Sequence, residues 1–225
     1  MKSFIIYLPR FEASTKTALS LKTQLEEFNM PVELFEGTNG NDAVVMMEQE
    51  GRAVHPWGIK GPDVPMDTLH DSFAKIIKPG VKGCFYSHYR LWKKCVELNE
   101  PIIIWEDDIV LTRPYIPVEW DDVLILALGH QTKSDRYIHL LESPAGDPAA
   151  TEYLQVSMPG CCGYAITPAA AQKLLDMFNN TYLPADNAIN QYILKIQIHN
   201  YVMGIALVKK DGKKSLTTNS AVWGE

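Results

Sequence analysis

The chain has 225 residues, 46% of them hydrophobic and 21% charged, with a formal net charge of -6 at pH 7. That composition fits a globular protein with a substantial core, read here as one domain over residues 1–225. Lys and Arg are spread along an acidic chain, which argues against a nucleic-acid partner, and no apolar run approaches the roughly 18 residues of a membrane span.

The opening segment "SFIIYLP" reads as a buried strand stopped by Pro9. It is too short for a secretory leader, so a cytoplasmic location is expected, with the four cysteines as reduced thiols. The absence of CxxC argues against a structural zinc site. Next, "STKTALSLKTQLEEF" is helical, with Ser14 or Thr15 as the cap and Ala18, Leu21, Leu25 and Phe28 as the apolar stripe. "PVELFEG" is a second strand, and this β-α-β opening predicts a parallel sheet with a right-handed crossover.

Residues 38–82 are irregular and rich in Gly and Pro, apart from a short helix in "DAVVMMEQEG", and such a stretch is more often functional than idle. In "GCFYSHYRLWKKCVELN" the residues Cys84, His88, Leu91, Trp92 and Cys95 fall on one helical face. His88 there reads either as a hydrogen-bonded core histidine, which its packing neighbours favour, or as a ligand. The strands "PIIIWEDDIVL" and "DDVLILALG" follow, then a surface loop over 130–152. "GCCGYAITPAAAQKLLDMF" is a strand or turn leading into a helix, with Thr167 at the N-cap and Pro168 at the first helical position. "LPADNAINQYILKIQ" predicts a further helix with Ile189, Tyr192, Ile193 and Ile196 on one side, and "YVMGIALV" a last strand. Strands alternating with helices make this an α/β chain.

The chemistry concentrates at "EDD", Glu106 to Asp108, at the end of an apolar strand. Ligands of open α/β sheets sit at the carboxyl ends of the parallel strands. Carboxylates close together and withdrawn from water resist joint ionisation, and a divalent cation removes the conflict. Solvated loop acids are the competing reading, which Ile104, Trp105, Ile109 and Leu111 argue against. If the strand continues through residue 108, Glu106 and Asp108 share a face and Asp107 points away. Asp108 is then the metal contact, with Glu106 as a second ligand or, like Asp107, an acceptor for a ribose or a neighbouring cation.

In their order along the chain, "IIYLPR", "LFEGTNG", "GVKGCFYSHYRLWKKCVELNEPIIIWEDDIVL", "GCCGYAITPAAAQKLL" and "LPADNAI" resemble the segments of glycosyltransferase family 25. That family holds the lipopolysaccharide and lipooligosaccharide galactosyltransferases and the collagen galactosyltransferase domains. Two positions depart from its pattern: Lys82 stands where an acidic residue is usual, and "FEAST" follows Pro9-Arg10 without a second arginine.

The resemblance implies a GT-A-like nucleotide-sugar-binding fold with a mostly parallel central sheet flanked by helices. It also implies an inverting hexosyltransferase that uses Mn²⁺ or Mg²⁺ and a UDP-sugar, most often UDP-galactose, with UDP-glucose as the alternative. A saccharide accepts the sugar, and peripheral contact with a membrane is compatible with that role. In this sequence Arg10, Thr38, Asn39, Glu106 and Asp107 would line the donor and Asp108 with Glu106 would hold the metal. Asp186 would be the general base, although its place before a helical pattern also fits an N-cap. Gly163 and Tyr164 would pass close to a substrate or form a tight turn, Trp57 and Trp105 would stack on a sugar or pack, and "KKDGKK" would hold phosphates or form a charged turn. A nucleotidyltransferase or phosphohydrolase would share the acidic strand end, but neither GxxxxGK[ST] nor a DxDxT-like motif is present. A carbohydrate-binding protein without turnover is the remaining rival.

Overall fold

A computed structural model describes residues 1–55, 76–128, 151–153, 162–190, 195–201 and 206–208. Strand β1 (Lys2–Tyr7) leads through helix α1 (Glu12–Glu27) to β2 (Glu33–Glu36) and α2 (Gly40–Gln49). After the two-residue β3 (Ala53–Val54) come α3 (Pro79–Leu98), β4 (Ile102–Glu106) and β5 (Ile109–Leu111). The rest comprises β6 (Val123–Ile125), β7 (Ala127–Leu128), β8 (Thr151–Tyr153), β9 (Gly163–Ile166), α4 (Pro168–Met177), β10 (Thr181–Tyr182), α5 (Ala185–Ala188), β11 (Ile198–Tyr201) and β12 (Ala206–Val208).

Seven strands form the central sheet in the order β2-β1-β4-β9-β6-β11-β8. The β2–β1, β1–β4 and β6–β11 pairs are parallel, while β9 and β8 run against their neighbours, so five strands share one direction. The chain is thus α/β with a mostly parallel sheet, as read from the sequence. Alternation along β4 sends Ile102 and Ile104 to one face and Ile103 and Trp105 to the other. The first face packs on α2, α3 and α4 through Met47, Phe85, Trp92, Ala171 and Leu174. The second packs on α1 through Ala18, Leu21 and Leu25, and on the small β5-β12-β7 sheet through Ile109, Leu111 and Ala127.

Local chemistry moves several predicted boundaries. Helix α1 begins at Glu12 behind Phe11, and neither Ser14 nor Thr15 caps it. Ser14 lies inside the helix, where its hydroxyl accepts the Leu8 N–H at 2.8 Å. Pro at the first position starts α3 at Pro79, ahead of Gly83, and Asn99 in the left-handed region (φ 50°) stops it. Thr167 caps α4 as read, its hydroxyl accepting the Ala170 N–H at 3.3 Å. "DDVLILALG" is two strands in different sheets, because the chain breaks at Leu126, whose N–H donates to Gly163 O at 2.9 Å. Helix α5 ends at Ala188 with Ile189 as its C-cap, and Lys195 (φ 51°) is left-handed, so neither Ile189 nor Ile196 lies in this helix. Tyr192 and Ile193 lie outside the described residues, as do most of the 130–152 loop and residues 56–75 of the irregular stretch.

Close approaches between elements depend on glycine at two places. A Cβ on Gly83 of α3 would sit 2.7 Å from Thr38 O, so α3 meets the chain after β2 backbone to backbone. A Cβ on Gly163 would lie 2.5 Å from the Trp105 ring and 3.0 Å from the Ala127 methyl group. Gly163→Ala therefore overpacks the second core, and urea denaturation should show a loss of about 1–3 kcal/mol in unfolding free energy. An unchanged midpoint would mean that the Trp105 ring moves aside freely.

Candidate functional site

Because β2, β1 and β4 are parallel neighbours, their carboxyl ends share one edge of the sheet. Arg10 lies exposed in the turn after β1, Thr38 and Asn39 follow β2 nearly buried, and Asp107 and Asp108 follow β4. Antiparallel β9 starts at the same edge, where Trp105 pairs with Gly163 and the Glu106 N–H donates to Cys162 O at 2.8 Å. The fold thus brings all the predicted donor-side residues to one rim.

The strand ends at Glu106, and Asp107 and Asp108 form the turn into β5, so the acids do not continue one strand as far as residue 108. The alternation still holds for the first two. Glu106 follows Ile102 and Ile104 onto the α3 face, where its Oε1 lies 3.5 Å from His88 Nε2 and 3.8 Å from Cys84 Sγ. Asp107 goes to the α1 face, where Thr17 Oγ1 donates to its Oδ2 at 3.2 Å and the Ser14 hydroxyl adds a second hydrogen bond. The charge of Asp108 acts on Cys84, Cys162 and Asp107.

Burial first, then the charges of Asp107 and Asp186, push the Glu106 carboxyl up to about 8. Burial also raises Asp107, to about 6, against the hydrogen bonds from Ser14 and Thr17 that lower it. Burial drives the His88 imidazole down to about 4, partly countered by Asp186. The Cys84 and Cys162 thiols are held well above their usual range by burial and then by Glu106. Glu106 and Asp107 are thus crowded where joint ionisation is resisted.

Asp186 is in Coulombic reach of Glu106, His88 and both thiols. It is not the N-cap of α5; Pro184 holds that position and Asp186 falls in the first turn. His88 is a buried, hydrogen-bonded core histidine, the reading its packing neighbours favour. Its Nδ1 is 2.9 Å from Tyr164 Oη, the rings stack at 5.7 Å, and its Nε2 faces Glu106. Trp92 Nε1 donates to the same Tyr164 oxygen at 2.9 Å.

Other candidates have structural work. Asn39 caps α2 by accepting the Asn41 N–H at 2.9 Å. The Thr38 N–H donates to Ser87 Oγ at 2.8 Å, and Arg90 Nη1 donates to Thr38 Oγ1 at 3.3 Å. Trp105 is wholly buried and donates from Nε1 to Ser3 Oγ at 2.9 Å, so it packs and does not stack on a sugar. Gly163 admits the Trp105 ring, and Tyr164 is core. Trp57 and "KKDGKK" lie outside the described residues. Sequence reasoning missed Cys84, Cys162 and Tyr164 as partners of the acid cluster. The i, i+4 spacing of Cys84 and His88 and the pleat of β4 carried a signal for the first of them.

The sequence model of glycosyltransferase family 25 (LPS biosynthesis protein) matches residues 2–189, which include the whole rim and Asp186. The chain belongs to glycosyltransferase family 25. It is 26% identical to the lipooligosaccharide biosynthesis protein lex-1 of Haemophilus influenzae, over 58% of this chain and 48% of that protein. A second Haemophilus influenzae protein, provisionally named a glycosyltransferase, is 28% identical over 59% of this chain and 47% of its own length. The chain thus spans about half the length of the curated relatives it matches. Mouse xyloside xylosyltransferase 1 aligns over 96% of this chain and 100% of that one at 8% identity and a TM-score of 0.33, too loose to add to the fold. Among the described residues of this family-25 chain, no helix is long and apolar enough to cross a membrane.

The shifted groups make stability depend on pH. Glu106 titrates near 8 when folded against an ordinary 4.5, so its contribution is fully present below about 4.5 and is lost as pH rises through 8. Asp107 has the same sign, but its loss is largely complete by about 6. His88 has the opposite sign: at about 4 against an ordinary 6.5, its contribution is present above 6.5 and is lost as pH falls through 4. Of these three groups, the window from pH 6.5 to 8 isolates Glu106. Urea unfolding without divalent metal should show stability falling across it, and Glu106→Gln should flatten the fall. A flat wild-type profile would contradict the shift.

Proposed function

We propose that this chain carries a GT-A-like catalytic domain that transfers a hexose, galactose from UDP-galactose, to a saccharide acceptor with inversion. What supports the reading is the family match over residues 2–189 together with the acids Glu106, Asp107 and Asp108 at the end of β4 and the charge of Asp186 acting on Glu106. Oxygen donors at that turn suit a hard cation, Mn²⁺ or Mg²⁺, held by Asp108 with Glu106 next to it. Such an ion supplies charge neutralisation at the leaving diphosphate.

The chain's own groups do the rest in this reading. Asp108 gives a carboxylate at the mouth of the rim, while Asp107 fixes the turn to α1 through Thr17 and Ser14. Arg10, exposed after β1, supplies a cation for the nucleotide phosphates, and Thr38 with Asn39 borders the nucleotide at β2. Asp186 takes the proton from the acceptor hydroxyl as that oxygen attacks the sugar carbon from the side opposite UDP. Part of a lipooligosaccharide, as the relative's name indicates, is the acceptor class in this proposal. A cytoplasmic location and peripheral contact with the membrane that carries the acceptor belong to it as well.

The test is UDP release from UDP-galactose and UDP-glucose over a panel of saccharide acceptors. Acceptor-dependent release is expected with UDP-galactose. Asp186→Asn should lower it by roughly 100- to 10,000-fold with little change in donor binding. Donor binding without release across the panel would favour a binding protein, and near-normal turnover in Asp186→Asn would remove that residue from the mechanism.

A further inference from the structure

The donor atoms of Cys84, His88 and Glu106 all lie within 4.8 Å of one another. Two of them come from successive turns of α3 and the third from the end of β4, on the face that packs against α3. Tetrahedral Zn²⁺ would separate an imidazole nitrogen from a carboxylate oxygen by about 3.4 Å and a thiolate sulfur from that oxygen by about 3.6 Å. The observed separations from Glu106 Oε1 are 3.5 Å and 3.8 Å. Both separations from the Glu106 oxygen are close to ligand spacing, and the third pair lies within 4.8 Å.

The chemistry of the set is selective. A thiolate and an imidazole favour Zn²⁺, whereas Mg²⁺ and Mn²⁺ prefer carboxylate, carbonyl and water oxygen. The imidazole is also oriented as a metal ligand's usually is, with its second nitrogen engaged. Tyr164 Oη sits 2.9 Å from His88 Nδ1 and is itself fixed by Trp92, so Nε2 is left facing Glu106. A search for zinc by CxxC pairs passes over this set, because its ligands come from a helical i, i+4 pair and a strand end.

We propose that Cys84, His88 and Glu106 bind one Zn²⁺, distinct from the cation proposed at Asp108 and with a fourth position open. The ion clamps the end of β4 to α3 and fixes Glu106 beneath the turn. This site does not depend on the sugar-transfer reading, since its readout is metal binding alone.

The full chain, stripped of metal by EDTA and dialysed, is titrated with Co²⁺ and followed by absorbance. A thiolate-to-Co²⁺ charge-transfer band should grow to saturation at one ion per chain, and Zn²⁺ should displace it. The band should vanish in Cys84→Ser and persist in Asp108→Asn. Tyr164→Phe should weaken Co²⁺ affinity roughly 10- to 100-fold by releasing the His88 ring. No band in the wild type, which needs no variant to fold, overturns the site. So does a band unchanged in Cys84→Ser, which would place the thiolate elsewhere, and unchanged affinity in Tyr164→Phe would remove His88 from the set.

Discussion

Glu106 Oε1 sits 3.5 Å from His88 Nε2 at the point where β4 leaves the core, and much of the functional edge depends on how that contact is held. The carboxyl is kept largely from water beside two further acids, a neutral imidazole and two thiols. Burial costs the Glu106 carboxyl and the Cys84 and Cys162 thiols their hydration. The arrangement persists because strand β4, paired on both sides, and helix α3, packed across its face, leave Glu106 no other direction.

The surrounding structure serves that placement. Gly83 and Ser87 bring α3 against the chain after β2, which sets the depth of Cys84 and His88. Tyr164 reaches from β9 to hold the His88 ring, and Gly163, one residue earlier, lets the Trp105 indole lie beneath it on the other face. Asp107 is pulled the opposite way by Thr17 and Ser14, and Ser14 also holds the chain leaving β1 through the Leu8 N–H. The turn that presents Asp108 is therefore anchored from α1 and from β4. A turn anchored this way holds its backbone in place without a bound ligand.

The parts legible in the sequence were those governed by local periodicity. The faces of α3 and α4, that of α1 apart from Phe28, which is exposed at its C-cap, the alternation along β4 and the opposed directions of Glu106 and Asp107 all follow from 3.6- and 2-residue repeats. Strand direction is not encoded that way, so nothing in "GYAI" announced that β9 runs antiparallel between β4 and β6. The end of β4 was hidden because apolar residues resume at Ile109, and only the switch of β5 to a second sheet shows the turn. The apolar spacing carried the predicted helix past Ala188, where α5 ends and Ile189 caps it. The approach of Cys162 and Asp186 to Glu106 is tertiary, and the sequence held no spacing from which to read it.

The central claim is that the acids after β4 form a cation-dependent diphosphate site with Asp108 as the contact. Calorimetric titration of UDP into the wild type and Asp108→Asn, each with Mn²⁺ present and with Mn²⁺ omitted, tests it directly. The account predicts UDP binding that Mn²⁺ strengthens markedly in the wild type, with most of that gain lost in Asp108→Asn. UDP binding of equal strength with and without Mn²⁺, or a Mn²⁺ effect untouched by Asp108→Asn, would contradict it.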